Sequence, residues 1–485
     1  MSEPAKHQDA SLDHVLKYTG VFGGVQGFNI LIGIIRNKLA SKFLGAAGIG
    51  LMGFYISITD FVNNCSNLGI PISSVQHISE LFEEDDLTRI RSFIKVVRTW
   101  CLWSALFACL LCLGAMCYDR HVVLLAPMAV SAIITGGEIS ILKGTRHLKR
   151  VAAISFLAAL TTLVVTVPLY WALHTRGIIL ALNLSTIVIM SVHLGFSVPL
   201  YPWRVRLLSR SVLREGWQLI RVGLPYALAA IAGSGVALAL PALMINYGSL
   251  EDLGFYRVGY GLMVTYAGIV FTAFEADYFP RLSAVNHHVD KRNQAINQQV
   301  RVCLLLISPM LIGLVTAMPL VIRILNTSAF LPATNMAVCA AFYMFLRSIT
   351  VPMGYTALAC GDSALFLLME VIYDVVSLGI IFGGYYVFGL TGAGIGLSLS
   401  ALFDLVLIGL TYGTHYHVRL AGSTIRQAVL QALLLGGTVV GCMTLPGLWR
   451  FVIGLPLLAC STWQSYRILA AETTIIDKLR RRLTR

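Results

Sequence analysis

Residues 151–199 read VAAISFLAALTTLVVTVPLYWALHTRGIILALNLSTIVIMSVHLGFSVP. Two apolar runs, 151–173 and 178–199, flank the polar break HTRG at 174–177. Neither run contains Asp, Glu, Lys or Arg. Each has the roughly 20 residues that a helix needs to cross a bilayer. In lipid the backbone must satisfy its own hydrogen bonds, which a helix does within one segment. The same signature recurs before this stretch, near 18–40, 46–69, 98–118 and 121–142, and after it, near 222–247, 254–276, 301–323, 333–358, 364–387, 391–412, 427–445 and 449–467. The chain is therefore read as an all-α membrane protein with fourteen crossings. The helices at 427–467 form an additional pair beyond a core of twelve.

Composition agrees. Of 485 residues, 57% are hydrophobic and 12% charged, with a mean hydropathy of +0.78. A soluble domain carries about 25% charged residues, so this chain lacks the polar surface to face water. The net charge of +13 invites a nucleic-acid reading, but no basic domain stands outside the apolar runs. Most of the Lys and Arg instead fall on alternate loops: Arg89, Arg91, Lys95 and Arg98; Lys143, Arg146, Lys149 and Arg150; Arg204, Arg206, Arg210, Arg214 and Arg221; and the tail from Lys478 to Arg485. The positive-inside rule puts these loops and both termini in the cytoplasm, with no nucleic acid needed. Trp100, Trp103, Trp171, Trp203, Trp449 and Trp463 lie near run ends, where an aromatic belt is expected.

The N-terminal stretch MSEPAKHQDASLDHVLK (1–17) has neither a basic n-region nor a small-residue cleavage site, so no removable signal peptide is expected. The C-x-x-C of Cys109 and Cys112 lies inside an apolar helix and reads as packing. ELFEEDDLTRIRSFIKVVR (80–98) places acids before a basic amphipathic stretch, which predicts an interfacial helix starting near Asp86. Residues 208–221 have a similar pattern. GLTGAGIGLSLSAL (389–402) has small residues at close spacing, which lets the eleventh and twelfth helices approach each other.

The chain also echoes itself. FLGAAGIGLMGFY (43–55) faces DLGFYRVGYGLMV (252–264), with Gly45 against Gly254 and Gly50 against Gly259. Pro71 faces Pro280 at the same offset, and GIILALNLS (177–185) pairs with LTGAGIGLS (390–398). The shared order implies a duplication into parallel six-helix halves around a central cavity. The expected division is a first lobe at 1–200, a cytoplasmic linker at 201–222, a second lobe at 223–413, the extra pair at 427–467 and a basic cytoplasmic tail at 468–485.

NKLASKFLGAAGIGLMGFYISITDFVNNCSNLGI (37–70) resembles the start of Wzx-type flippases of lipid-linked oligosaccharides. These belong to the multidrug/oligosaccharidyl-lipid/polysaccharide exporter superfamily. The similarity is clearest over 30–80 and recurs over 250–287; it is a pattern of glycines and helix breaks. It implies a MATE-like pair of six-helix lobes working by alternating access in a bacterial inner membrane. The implied substrate is an undecaprenyl-pyrophosphate-linked oligosaccharide, such as an O-antigen, capsule or exopolysaccharide repeat unit, moved from the cytoplasmic to the periplasmic leaflet. The implied partners are membrane lipids, a polysaccharide polymerase and chain-length machinery. Lipid II flippases carry an Arg-Asp pair where this chain has Arg36 and Asn37, so the basic residue matches and the acid is replaced by an amide. Their arginine near the start of the eighth helix is matched by Arg257, about one turn out of register.

Charges inside the runs cost several kcal/mol unless they face a cavity or a partner. Arg36, Asn37, Lys38, Arg257 and Arg347 are candidate ligands for a pyrophosphate, because a guanidinium gives phosphate two parallel hydrogen bonds. Lys38 and Lys42 have a plainer reading as side chains snorkelling to the outer interface. Arg257 and Arg347 have one as structural ion pairs with an acid such as Asp374. Glu370 and Asp374 share a face at i, i+4, where like charges repel, so they are candidates for H+ or Na+ coupling. Asp60, Asp404 and Glu138 are further acids within the spans; Glu275 and Asp277 are expected to be solvated. No cofactor or metal is expected. The alternatives are a drug or cation antiporter on the same fold, whose cavity would be acidic and aromatic, and a membrane polymerase or glycosyltransferase, which the short outer loops disfavour.

Overall fold

The computed structural model describes residues 4–84, 86–116, 120–207, 209–445 and 447–472. Side chains are described over 27–470, apart from a few single positions and most of 265–277. The expectation for Glu275 and Asp277, and that for the basic tail from Lys478 onward, lie outside the described residues. Every regular element among the described residues is helical. In chain order the helices are α1 Pro4–Asn67, α2 Ile70–Glu83, α3 Leu87–Ala115, α4 Ala126–Gly144, α5 Leu148–Leu173, α6 Ile178–Ser197, α7 Arg210–Tyr247, α8 Leu250–Ala284, α9 Val289–Leu325, α10 Ala333–Cys339, α11 Ala341–Ala359, α12 Ser363–His415, α13 Gly422–Thr444 and α14 Trp449–Glu472.

Nine helical stretches among the described residues are long and apolar enough to cross a membrane. Three of these, Gly27–Asn67, Lys149–Ser197 and Ser363–His415, each cover two of the expected runs, with a break between them. It falls at Gly45 (φ 66°, ψ −172°), at the 3-10 turn His174–Gly177, and at Phe388 and Gly389 (φ 60°, ψ −147°). Positive φ with extended ψ is open essentially to glycine alone, which is why α1 and α12 break where they do. Divided there, and with α8 and α14 at the two remaining positions, the helices fall on the fourteen stretches read from hydropathy. Val164, Val375, Leu410, Leu433 and Val440 are each at least 62% exposed, as expected of faces whose solvent is lipid.

Three local expectations need revision. Asp86 does cap a helix, accepting hydrogen bonds from the backbone N–H groups of Thr88 (3.1 Å) and Arg89 (3.0 Å). That helix is no interfacial stub, however: α3 continues unbroken through the apolar run, and Ile90, Phe93, Ile94, Val96 and Val97 are buried. No Gly or Pro stands between the amphipathic and apolar stretches to stop it. Residues 210–221 likewise form the start of α7. Conversely, the run 333–358 is interrupted at Ala340, between α10 and α11. Replacing Asp86 with alanine should lower stability by about 1 kcal/mol, the usual loss for a helix cap, read as a small fall in melting temperature.

The chain divides into two compact units, Met1–Leu238 and Ala239–Arg485. In the first, α5 packs on α6 and on α1, and α4 packs on α3, α6 and α2. In the second, α11 packs on α12, and α9 packs on α11, α13 and α14. The glycine-rich stretch does what its spacing suggests. A Cβ on Gly392 would lie 1.9 Å from the Gly384 carbonyl oxygen, and one on Gly396 would lie 2.7 Å from Ile381 Cα. The two legs of α12 therefore touch backbone to backbone. Gly394 meets α10, where a Cβ would be 2.2 Å from the Met336 carbonyl oxygen.

Candidate functional site

Three helices of the second unit each direct an i, i+4 pair toward one locus. Such residues share a helix face, so short sequence motifs are enough to build it. On α8, Tyr256 and Tyr260 stack with ring centroids 5.8 Å apart and 19° between planes. On α11, Tyr343 lies 6.3 Å from the Tyr260 ring, and Arg347 follows one turn later. The first leg of α12 contributes Glu370, Tyr373 and Asp374, and its second leg Asp404. The Arg347 guanidinium pairs with the Asp404 carboxylate at 3.5 Å and sits 5.8 Å from the centroid of the Tyr373 ring. Glu370 and Tyr343 are close enough to Arg347 to interact with it electrostatically, and Asp374 is within reach of Glu370, Arg347 and Asp404. Arg347 is partly exposed, whereas Asp404 is buried. The acid in contact with Arg347 is thus Asp404, on the second leg, and not Asp374.

Of the other candidates in this unit, Arg257 is half-buried on α8 beside Tyr256. In the first unit, Arg36 is half-buried on the first leg of α1. Its guanidinium donates to the Asn37 side-chain oxygen at 3.5 Å and lies near Tyr170 of α5. Tyr170 is itself buried, with its hydroxyl 3.4 Å from Met52 Sδ. Asn37, Lys38 and Asp60 are exposed. The structure thus gathers Arg347, Glu370, Asp374 and Asp404 with four tyrosines in one unit, and places Arg36, Asn37, Lys38 and Asp60 in the other. Among the described residues, no group of three His, Cys, Asp or Glu side chains is arranged to hold a metal ion.

The strongest polar constellation escaped the sequence reading. Arg98, counted there as a loop charge, and Glu138, named only as an acid within a span, are 2% and 1% exposed and form a two-pronged pair at 2.7 and 2.9 Å. The same guanidinium donates to the carbonyls of Tyr201 (2.8 Å) and Pro202 (3.0 Å) and to Ser197 Oγ (3.2 Å), and it lies 4.8 Å from the Trp203 ring centroid. Ser197 Oγ also donates to Glu138. The second unit has a counterpart. Arg292 is 5% exposed, donates to the carbonyls of Asn286 (2.7 Å) and Tyr416, and lies over the Tyr416 ring. The Tyr416 hydroxyl donates to Asp362 at 3.1 Å; burial and that bond push its phenol above its ordinary pKa. In both units an arginine secures the chain just beyond a long helix, at Tyr201 after α6 and at Tyr416 after α12. The only hint in the sequence was an acid, Glu138, isolated in an apolar run.

Residues 39–335 match the profile of the polysaccharide biosynthesis protein family. None of the curated proteins matches the chain in sequence. Among solved structures, the fold is similar to an inward-facing multidrug resistance MATE family transporter of the MOP superfamily (TM-score 0.63, 14% identity, covering 83% of this chain and 95% of that one). It is also similar to the lipid II flippase MurJ in an inward closed conformation (0.56, 13%, 93% and 99%). A third is a MOP superfamily transporter from Pyrococcus furiosus (0.51, 13%, 88% and 94%). At such identities the likeness speaks for the fold alone. With the helix order and the family match together, the chain belongs to the polysaccharide biosynthesis protein family and is a multi-pass membrane protein with a MATE-like all-α fold.

Proposed function

We propose that the protein flips an undecaprenyl-pyrophosphate-linked oligosaccharide from the cytoplasmic to the periplasmic leaflet of a bacterial inner membrane by alternating access of two six-helix lobes. The observation that carries this reading is the placement of arginines inside apolar helices beside tyrosines, in a chain of the polysaccharide biosynthesis family. Arg257 flanks the Tyr256–Tyr260 stack, and Arg36 lies by Tyr170. Guanidinium groups suit a pyrophosphate, and tyrosines supply ring faces and hydroxyls for sugars. Lys38 and Asn37 add donors beside Arg36. Arg347 is already matched by Asp404, which reduces its share in anion binding. Glu370, Asp374 and Asp404 outnumber that single guanidinium, and an excess of carboxylates in a confined site favours uptake of a proton. We assign these three acids, with Asp60 in the first unit, to coupling. A membrane polymerase with its chain-length machinery would consume the product.

The test is export in a strain lacking the gene. Complete oligosaccharide lipid should accumulate on the cytoplasmic leaflet, and wild-type protein should clear it. An Arg36→Ala, Arg257→Ala, Arg347→Ala triple variant that reaches the membrane should lower surface polysaccharide at least tenfold. Wild-type export by that variant would sink the anion site. The acidic cluster favours a second reading, a drug or cation antiporter on the same fold. Unchanged surface polysaccharide together with new drug sensitivity in the deletion strain would select it.

A further inference from the structure

We infer that a polar cavity in the second unit, separate from the tyrosine–arginine cluster, binds a phosphoryl group. The cavity measures about 550 Å³ and lies between the N-terminal part of α9 and the start of α13. Two arginines line it, Arg301 and Arg419, with Gln294 and Gln298, and no Asp or Glu is among its lining residues.

The wall is built in advance. Asn293 donates to the His417 carbonyl (3.0 Å) and accepts from the Arg419 N–H (3.2 Å). Asn297 donates to the Arg419 carbonyl (2.8 Å) and accepts from the Ala421 N–H (2.7 Å). These bonds fasten residues 417–421 to α9. Arg419 and the first turn of α13 are thereby held at the cavity.

That turn is ready to receive an anion. α13 runs for 23 residues, and its cap residue, Ala421, makes no side-chain cap hydrogen bond. The first-turn N–H groups of such a helix carry the positive end of its dipole. A second observation points to a missing ligand. Thr424 lines the cavity and is 1% exposed, yet its hydroxyl has no hydrogen-bond partner among the described residues. A buried hydroxyl without a partner costs roughly 1–3 kcal/mol, and a phosphoryl oxygen would accept its proton.

Two guanidinium groups, hydroxyls, amides and a helix N-terminus form a donor-rich set. It suits a tetrahedral oxyanion with several acceptor oxygens, and its lining offers no carboxylate to a metal cation. The cavity lies at the basic end of the unit, the end that the positive-inside bias assigns to the cytoplasm. The phosphoryl group therefore comes either from an anionic phospholipid headgroup or from soluble phosphate. This site does not rest on the flippase reading.

The full-length protein, purified into phosphatidylcholine nanodiscs, is dialysed to equilibrium against radiolabelled orthophosphate. In parallel, native mass spectrometry compares its retention of phosphatidylglycerol with that of phosphatidylcholine. Saturable orthophosphate binding identifies a soluble source; preferential phosphatidylglycerol retention without it identifies a headgroup. In either case Arg419→Gln should weaken binding at least tenfold and Thr424→Val roughly threefold, whereas Arg419→Lys should keep part of it. Arg419 is exposed, so its replacement should spare the fold, as an unchanged size-exclusion profile would show. The proposal is overturned if wild-type protein neither binds orthophosphate nor prefers phosphatidylglycerol, or if the Arg419→Gln, Thr424→Val double variant binds as wild type does.

Discussion

Replacing Arg98 with alanine should destabilise the first unit by about 3–5 kcal/mol, the range for removing one partner of a buried ion pair. The Glu138 carboxylate would remain buried without its guanidinium. The Tyr201 and Pro202 carbonyls would lose their donors as well. The effect should appear as a large fall in melting temperature of the detergent-solubilised protein and a shift toward aggregate on size exclusion. Glu138→Ala should cost a similar amount, for the converse reason. The informative variant is the double substitution Arg98→Met, Glu138→Met, which removes both charges and fills much of the space. Apolar replacements of buried pairs are often neutral or better, but here two carbonyls would still lack donors, so recovery should be substantial and incomplete. A double variant no more stable than either single one would show that the pair's desolvation is not what governs this site.

The second large effect is expected at the α12 hairpin. Gly392→Ala places a methyl 1.9 Å from the Gly384 carbonyl oxygen and 2.7 Å from Phe388 Cβ. No rotamer can relieve a clash with backbone, so the legs must part. Overpacking typically costs about 1–3 kcal/mol, and here the loss should reach or exceed the top of that range. Gly383→Ala is the control: a Cβ there meets nothing within 4 Å, and alanine is the better helix former. Both variants are to be expressed side by side and their melting temperatures compared. Equal stability would show that the legs tolerate separation, contrary to the packing described.

Why these two effects differ in legibility is instructive. The hairpin could be read from GLTGAGIGLS because a glycine-rich face declares close approach wherever it packs, and the partner was the neighbouring helix. The ion pair could not. Arg98 reads as one more charge in a basic loop, and Glu138 lies 40 residues further along. Nothing in either neighbourhood encodes the rotation of α3 and α4 that brings them face to face. The same limit applies to Arg347. The sequence pointed to an acid such as Asp374, and only the packing of α11 against the two legs of α12 put Asp404 in contact instead. The amphipathic stretches at 87–97 and 210–221 show the reverse error: local pattern suggested separate surface helices, whereas both are the first turns of long ones.

The apolar spans, the helix start at Asp86 and the basic bias of alternate loops were legible in the chain alone. Lipid makes that possible, since it forces every spanning segment to be apolar and internally hydrogen-bonded over a fixed length. The tertiary structure decided which charges meet: Arg98 with Glu138, Arg347 with Asp404, and the Arg292 clasp on Tyr416. Partner choice among buried charges depends on interhelical distances of a few ångströms, and hydropathy along one dimension carries no record of them.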